Sequence, residues 1–253
     1  RAAGALGGAA LARAGGLERG QGPPGGGANR RGGRDGDGAL PGYDPGVSAE
    51  LAAFLRGQGI RDERVLGAFA QVPRRLFVSE GQRESADADR PLPIGFGQTI
   101  SQPFVVAYMT ERLRLSGAER VLEVGTGSGY QSAILALLAE EVYSIEIVPE
   151  LAERARHVLL GTLGLANVRL RVGDGALGWP EEAPFDRIVV TAAAAEVPPE
   201  LVEQLAPGGR MILPVGPELD VQMLRVVDKG NDGANVETDL LPVRFVPLTR
   251  ADR

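Results

Sequence analysis

A chain of 253 residues, 43% of them hydrophobic, is long enough for one α/β domain of ordinary size. Its 33 acidic and 27 basic residues give a net charge of −6, which argues against a nucleic-acid partner, because phosphate backbones are gripped by clustered Lys and Arg. No apolar run approaches about 18 residues, so no membrane partner is expected, and zero cysteines with one histidine, His157, exclude sulfur-ligated and multi-histidine metal sites.

Residues 1–46 hold sixteen glycines and few large apolar side chains. Such a segment buries too little surface to offset the entropy of ordering it, and a disordered tail is expected there. A targeting presequence is the alternative, weakened by the absence of any serine before Ser48. Six Arg against four acids lie in this tail, leaving 21 basic and 29 acidic residues to the remainder. One domain is expected over 47–253: helices and a polar loop to 116, a cofactor-binding core over 117–216, and C-terminal strands over 217–253. The cytosol is the default compartment and a monomer the default state.

Ser48 is placed to cap a helix with Leu51, Phe54 and Leu55 on one face. A second helix is predicted over 62–71, with Val65, Leu66 and Phe69 in register. Residues 79–102 read as a long polar loop without periodicity, a type usually functional or disordered inside a domain. Pro103 suits the first turn of a helix reaching about 115.

Short apolar runs then alternate with helical patterns: strand 120–124, helix 130–139, strand 142–147, helix 149–163, strand 168–172, strand 185–191, helix 198–205 and strand 210–214. This alternation predicts an α/β fold, a doubly wound, mostly parallel Rossmann-like sheet with helices on both faces. Ile188, Val189 and Val190 are apolar in succession, as a strand covered on both faces requires. Strands near 219–227 and 236–246, flanking a turn at 229–234, form an antiparallel edge.

The stretch VLEVGTGSGYQ (121–131) puts Gly125, Gly127 and Gly129 between a strand and a helix. Glycines there permit a tight turn and let backbone N–H groups approach a ligand. A dinucleotide fingerprint has its third glycine where this chain has Tyr130, consistent with a cofactor that lacks a pyrophosphate. Glu146 ends the next strand, where a carboxylate can accept from both hydroxyls of a ribose. Asp174, between Gly173 and Gly175, can accept from an adenine amino group. The plain alternatives are a solvated Glu and an Asp-Gly turn. All of these positions lie at carboxyl ends of parallel strands, where open α/β sheets bind ligands.

Upstream, PLPIGFGQTISQP (91–103) crowds Gln98, Thr99, Ser101 and Gln102 before a helix start. A helix N-terminus favours an anion, so a carboxylate is the natural guest. The bland alternative is a helix capped by Ser101 or Gln102.

The glycine loop, Glu146 and Asp174 together resemble class I S-adenosylmethionine-dependent methyltransferases. With VPRRLFV (72–78), PLPIGFGQTISQP, VYSIE (142–146), GDG (173–175), PFDRIVVTAA (184–193), PGGRMILPVG (207–216) and VRFVPL (243–248), the chain resembles the protein-L-isoaspartate O-methyltransferase family. That resemblance implies methyl transfer from S-adenosylmethionine to the free carboxylate of isoaspartyl residues in damaged peptides and proteins. It implies Ser101 as the residue assisting transfer. Cofactor contacts are implied for Glu123, Gly125, Thr126, Gly127, Ser128, Gly129, Glu146, Asp174, Gly175 and Thr191, with Glu123 near the methionine portion. Substrate contacts are implied for Gln98, Thr99 and Ile100, with Pro214, Val215 and Gly216 beside the pocket. The lead-in SADADR departs from the aromatic-containing stretch usual in the family, and residues 1–46 have no counterpart in it.

The inventory suits that reaction. A carboxylate with a pKa near 4 is ionised at neutral pH and needs no general base. His157, inside a predicted helix, is expected at the surface.

Overall fold

A computed structural model describes residues 48–218 and 220–251. The tail expected over 1–46 lies outside the described residues. Helix α1 (Ala49–Gly57) buries Leu51, Ala52 and Leu55, whereas Phe54, expected on the same face, is 40% exposed. Helix α2 (Glu63–Gln71) is capped by Asp62, whose side chain accepts from the N–H groups of Arg64 and Val65. A 3-10 turn at Arg74–Phe77 and another at Glu80–Ser85 follow.

The segment expected to be an irregular loop contains an antiparallel hairpin, β1 (Leu92–Gly95) and β2 (Gln98–Ile100). Its two-residue turn holds Phe96 at φ 54° and Gly97 at φ 71°, positive at both central positions as in the primed turns that suit hairpin twist. Helix α3 (Pro103–Leu113) then starts with proline in its first turn.

From Arg120 the predicted alternation appears: β3 (Arg120–Val124), α4 (Tyr130–Leu138), β4 (Glu141–Glu146), α5 (Pro149–Arg156) running into a π-helical stretch at His157–Thr162, β5 (Val168–Val172), β6 (Phe185–Val190), α6 (Pro199–Gln204), β7 (Leu205–Val215), β8 (Gln222–Lys229) and β9 (Asn235–Val243). The seven strands lie in the order β5-β4-β3-β6-β7-β8-β9. The first five are parallel, and β8 and β9 pair antiparallel. His157 is exposed. Among the described residues no helix is long and apolar enough to cross a membrane.

The central strands of the sheet are buried on both faces. Val121, Val142, Val189 and Ile212 join the core formed with α1 to α5, while Leu122, Val124, Tyr143, Ile145, Ile188 and Val190 join the opposite core with Leu201 of α6. Burying consecutive residues on opposite sides is what the unbroken apolar runs required. The chain leaves β3 toward β4 and β5, then returns to β6 on the other side of β3, and this reversal opens a crevice at the carboxyl ends of β3 and β6.

Candidate active site

Gly125, Gly127 and Gly129 all sit at positive φ (94°, 54° and 89°), the region L side chains avoid. A Cβ on Gly125 would stand 2.4 Å from Thr191 Oγ1. Its absence lets the Thr191 hydroxyl reach the carbonyls of Val124 (3.1 Å) and Gly125 (2.6 Å), tying β6 to the loop. Gly129 has a different use. A Cβ there would press on Ala155 and Leu159 at 3.2 and 3.1 Å, so it lets α4 pack closely on the helical segment behind it. The cavity over the loop is lined by Gly125, Thr126, Gly127 and Ser128, and Gly129, an expected cofactor contact, is not among its lining residues.

Glu146 lines that cavity at the end of β4. Its Oε2 accepts from Gly127 N–H at 2.6 Å and its Oε1 from Val148 N–H at 3.0 Å. The two backbone donors fix the carboxylate and leave a second lone pair on each oxygen.

Glu123 is placed otherwise than expected. It is fully buried, and its Oε2 accepts from the hydroxyls of Ser132 and, at 2.5 Å, Ser144. Thr126 Oγ1 lies 2.6 Å from Ser144 Oγ, so a chain of hydroxyls runs from the loop to the buried carboxyl. Burial, with a smaller push from nearby Glu146, takes the Glu123 pKa up to about 7 against those two bonds. The side chain, expected near the methionine portion of the cofactor, turns into the interior toward the serines beneath the loop.

Asp174 accepts from Ala176 N–H at 2.9 Å through Oδ1 and from Ala251 N–H at 3.2 Å through Oδ2. Gly175 beside it lines the cavity, and a Cβ there would meet Val124 Cγ1 at 2.4 Å. The residue that approaches the ligand space is therefore the glycine, with the aspartate holding the turn.

The β1–β2 hairpin reaches the same cavity from above, contributing Gln98, Thr99 and Ile100, followed by Ser101. It is held by Arg154 of α5, whose guanidinium donates to the Ile94 carbonyl at 3.3 Å and lies 5.3 Å from the Phe96 ring centre. A second cavity adjoins the first, lined by residues including Gln102, Val221 and Arg244. Thr99, Ser101, Thr191, Phe245 and Val246 line both, so they form the wall between them. Ser101 is half-buried.

The anion expected at the start of α3 is supplied by the protein itself. Asp89 Oδ1 accepts from Phe104 N–H at 2.9 Å, and Oδ2 accepts from Gln102 Nε2 at 2.8 Å. Neither Ser101 nor Gln102 caps the helix through its side chain. Asp89 was not singled out by the sequence, and the run Phe245–Thr249, which lines the first cavity, was read as part of a family motif and a strand end but not as site residues.

Pro214, Val215 and Gly216, expected beside the pocket, are not among the residues lining either cavity. Gly216 N–H donates to Ala194 O at 3.0 Å, and a Cβ on Gly216 would come within 3.1 Å of Gln222 Cα. Gln222 Oε1 in turn accepts from Phe245 N–H at 2.9 Å. Their contact with the pocket is thus indirect, through Gln222 and Phe245.

Residues 47–253 match the family model described as protein-L-isoaspartate(D-aspartate) O-methyltransferase. The chain belongs to this family. The protein-L-isoaspartate O-methyltransferase 1 of Anaeromyxobacter sp. is 71% identical over 205 residues, covering 81% of this chain and 97% of that one. The protein-L-isoaspartate O-methyltransferase of Myxococcus xanthus is 58% identical over 201 residues, covering 78% and 94%. Among solved structures, a Plasmodium falciparum protein-L-isoaspartate O-methyltransferase bound to S-adenosyl-L-homocysteine superposes with a TM-score of 0.71 at 27% identity, covering 81% of this chain and 99% of that one. A match from residue 47 leaves only the glycine-rich segment outside the methyltransferase family region.

Proposed function

We infer that this chain transfers the methyl group of S-adenosylmethionine to the free carboxylate of L-isoaspartyl residues in damaged proteins, the step that begins their repair. Family membership supplies the reaction class. The observation that carries the site assignment is the wall of Ser101, Thr99 and Thr191 shared by two adjoining cavities, one built on the glycine loop and one open to an acceptor.

The residues of the first cavity fit S-adenosylmethionine. Glu146, pinned by two backbone N–H groups, keeps lone pairs for the two hydroxyls of a ribose. Gly125, Thr126, Gly127 and Ser128 form the loop side and Gly175 the floor near β5, its turn held by Asp174. When bound, the cofactor supplies an electrophilic methyl on a sulfonium.

The acceptor carboxylate is ionised at neutral pH, so the chain has no proton to remove. Its task is alignment. The Ser101 hydroxyl makes no hydrogen bond among the described residues and is available to donate to one carboxylate oxygen, leaving the other to attack. The Thr191 hydroxyl is already committed to the Val124 and Gly125 carbonyls and does not compete. The proposal takes a monomer in the cytosol as the working unit.

A hydrogen bond to a charged group contributes about 1.5–3 kcal/mol, roughly tenfold to a hundredfold in rate. Ser101→Ala should therefore slow methylation of an isoaspartyl peptide by that factor while S-adenosylhomocysteine affinity, measured by calorimetry, stays within about twofold. Equal loss of both would remove Ser101 from this role.

A further inference from the structure

Arg74 is fully buried, yet none of its hydrogen bonds goes to a carboxylate. Burying a guanidinium without a paired anion is costly, so the site must return something in geometry. Its Nη1 donates to the carbonyls of Ala86 and, at 3.5 Å, Ala88; its Nη2 donates to the carbonyls of Arg90 at 3.2 Å and Ser101 at 2.9 Å. All four acceptors lie in the segment that carries Ser101 or leads into it. None lies in α1, α2 or the sheet.

Asp89 sits inside the stretch that Arg74 holds. Its carboxylate accepts from the Gln102 side chain and from the first turn of α3. Ser101 is thus gripped on both sides: Arg74 takes its own carbonyl, and Asp89 takes the residue after it. The same guanidinium lies 5.8 Å from the ring centre of Tyr130, the first residue of α4, which follows the glycine loop and lines the first cavity. One buried cation therefore touches both the segment that presents Ser101 and the helix that continues the cofactor loop.

We propose that Arg74 is a positioning residue for methyl transfer, setting with Asp89 where the Ser101 hydroxyl stands between the two cavities. The proposal rests on the role given to Ser101 above. Arg74 lines neither cavity, and its effect on the reaction runs through the placement of that serine. Lysine is a poor substitute, because a point ammonium on a flexible stem cannot reproduce a planar fork shared among carbonyls from residues 86, 88, 90 and 101.

The test is a double-mutant cycle. Arg74→Lys and Asp89→Ala are each made alone and together with Ser101→Ala, with kcat on an isoaspartyl peptide expressed per S-adenosylhomocysteine site titrated, so that unfolded chains are not counted. Each single variant should lower kcat about tenfold or more, as expected when an acceptor is misplaced by a fraction of an ångström to an ångström, with cofactor affinity within about twofold. In the Ser101→Ala background the same changes should add less than about twofold, since the group they position is gone. A full, additive loss in that background would overturn the proposal, because Arg74 would then serve the fold at large, as would an unchanged kcat in the single variants. If Arg74→Lys yields no cofactor-binding protein, the Asp89→Ala cycle decides by the same criteria. Ser101→Ala turning over at the wild-type rate would remove the serine's role itself, an outcome read from that variant alone.

Discussion

Glu123 is a buried carboxyl beneath the crevice whose protonation departs well from its type. Its ordinary value of 4.5 is pushed up to about 7 by burial, with two serine hydroxyls pulling the other way. The folded state thus holds its proton over a range where the unfolded chain has lost it. Stability from this group is fully present below about 4.5 and is lost as pH rises through about 7. Glu123→Gln removes the ionisation while keeping an oxygen for Ser132 and Ser144. In thermal melts the variant should match the wild type below pH about 4.5 and exceed it above about 7, by a few kcal/mol at most, since one pKa unit is worth about 1.4 kcal/mol. A gap that does not change with pH would contradict the buried-proton reading. The same residue shows why parts of the site were hidden in the sequence. Glu146 and Ser101 were readable because strand end and helix start dictate where their side chains go. Glu123 was read onto the cofactor because nothing local says that Ser132 and Ser144 will meet beneath the loop. Arg74 and Asp89 were invisible for a related reason: most of their partners are backbone carbonyls and N–H groups brought near by the tertiary fold.

Among the elements, helix starts give a clean contrast. Ser48 was expected to cap α1, but its hydroxyl makes no cap bond, and its N–H instead donates to Ala70 O at 3.2 Å. Asp62 caps α2 with bonds to two backbone N–H groups. Replacing an N-cap side chain that makes its bond costs about 1 kcal/mol. Asp62→Ala should lower stability in urea titrations by about that amount, and Ser48→Ala by less than half of it; equal losses would mean the cap geometry is not what holds α2. Strands and helices from β3 onward were legible because their apolar runs and periodicities are long. The β1–β2 hairpin was not. Its strands have four and three residues, Pro91 and Pro93 interrupt any alternation, and its turn uses Phe96 at positive φ where Asn or Gly is the usual signal. Arg154, distant in sequence, holds that hairpin down, and no local pattern announces it.

At the scale of the molecule, the site depends on three returns of the chain to the carboxyl ends of the parallel strands. The glycine loop arrives with β3, the hairpin and Ser101 arrive from the N-terminal side, and residues 245–249 come back after β9. That last return is fixed by hydrogen bonds between Ala193 and its partners Val246 and Leu248, at 2.8 Å each. The doubly wound, mostly parallel class followed from the alternation of elements. The closing segment did not, because a run such as Phe245–Thr249 reads equally well as the end of a strand. What this assembly is for is tested most directly with two peptides of identical sequence, differing only in whether one aspartyl residue is linked through its α- or its β-carboxyl. With labelled S-adenosylmethionine, the isoaspartyl peptide should be methylated and its normal counterpart left unlabelled. Equal labelling of the two, or labelling of neither by protein that binds S-adenosylhomocysteine, would contradict the assignment.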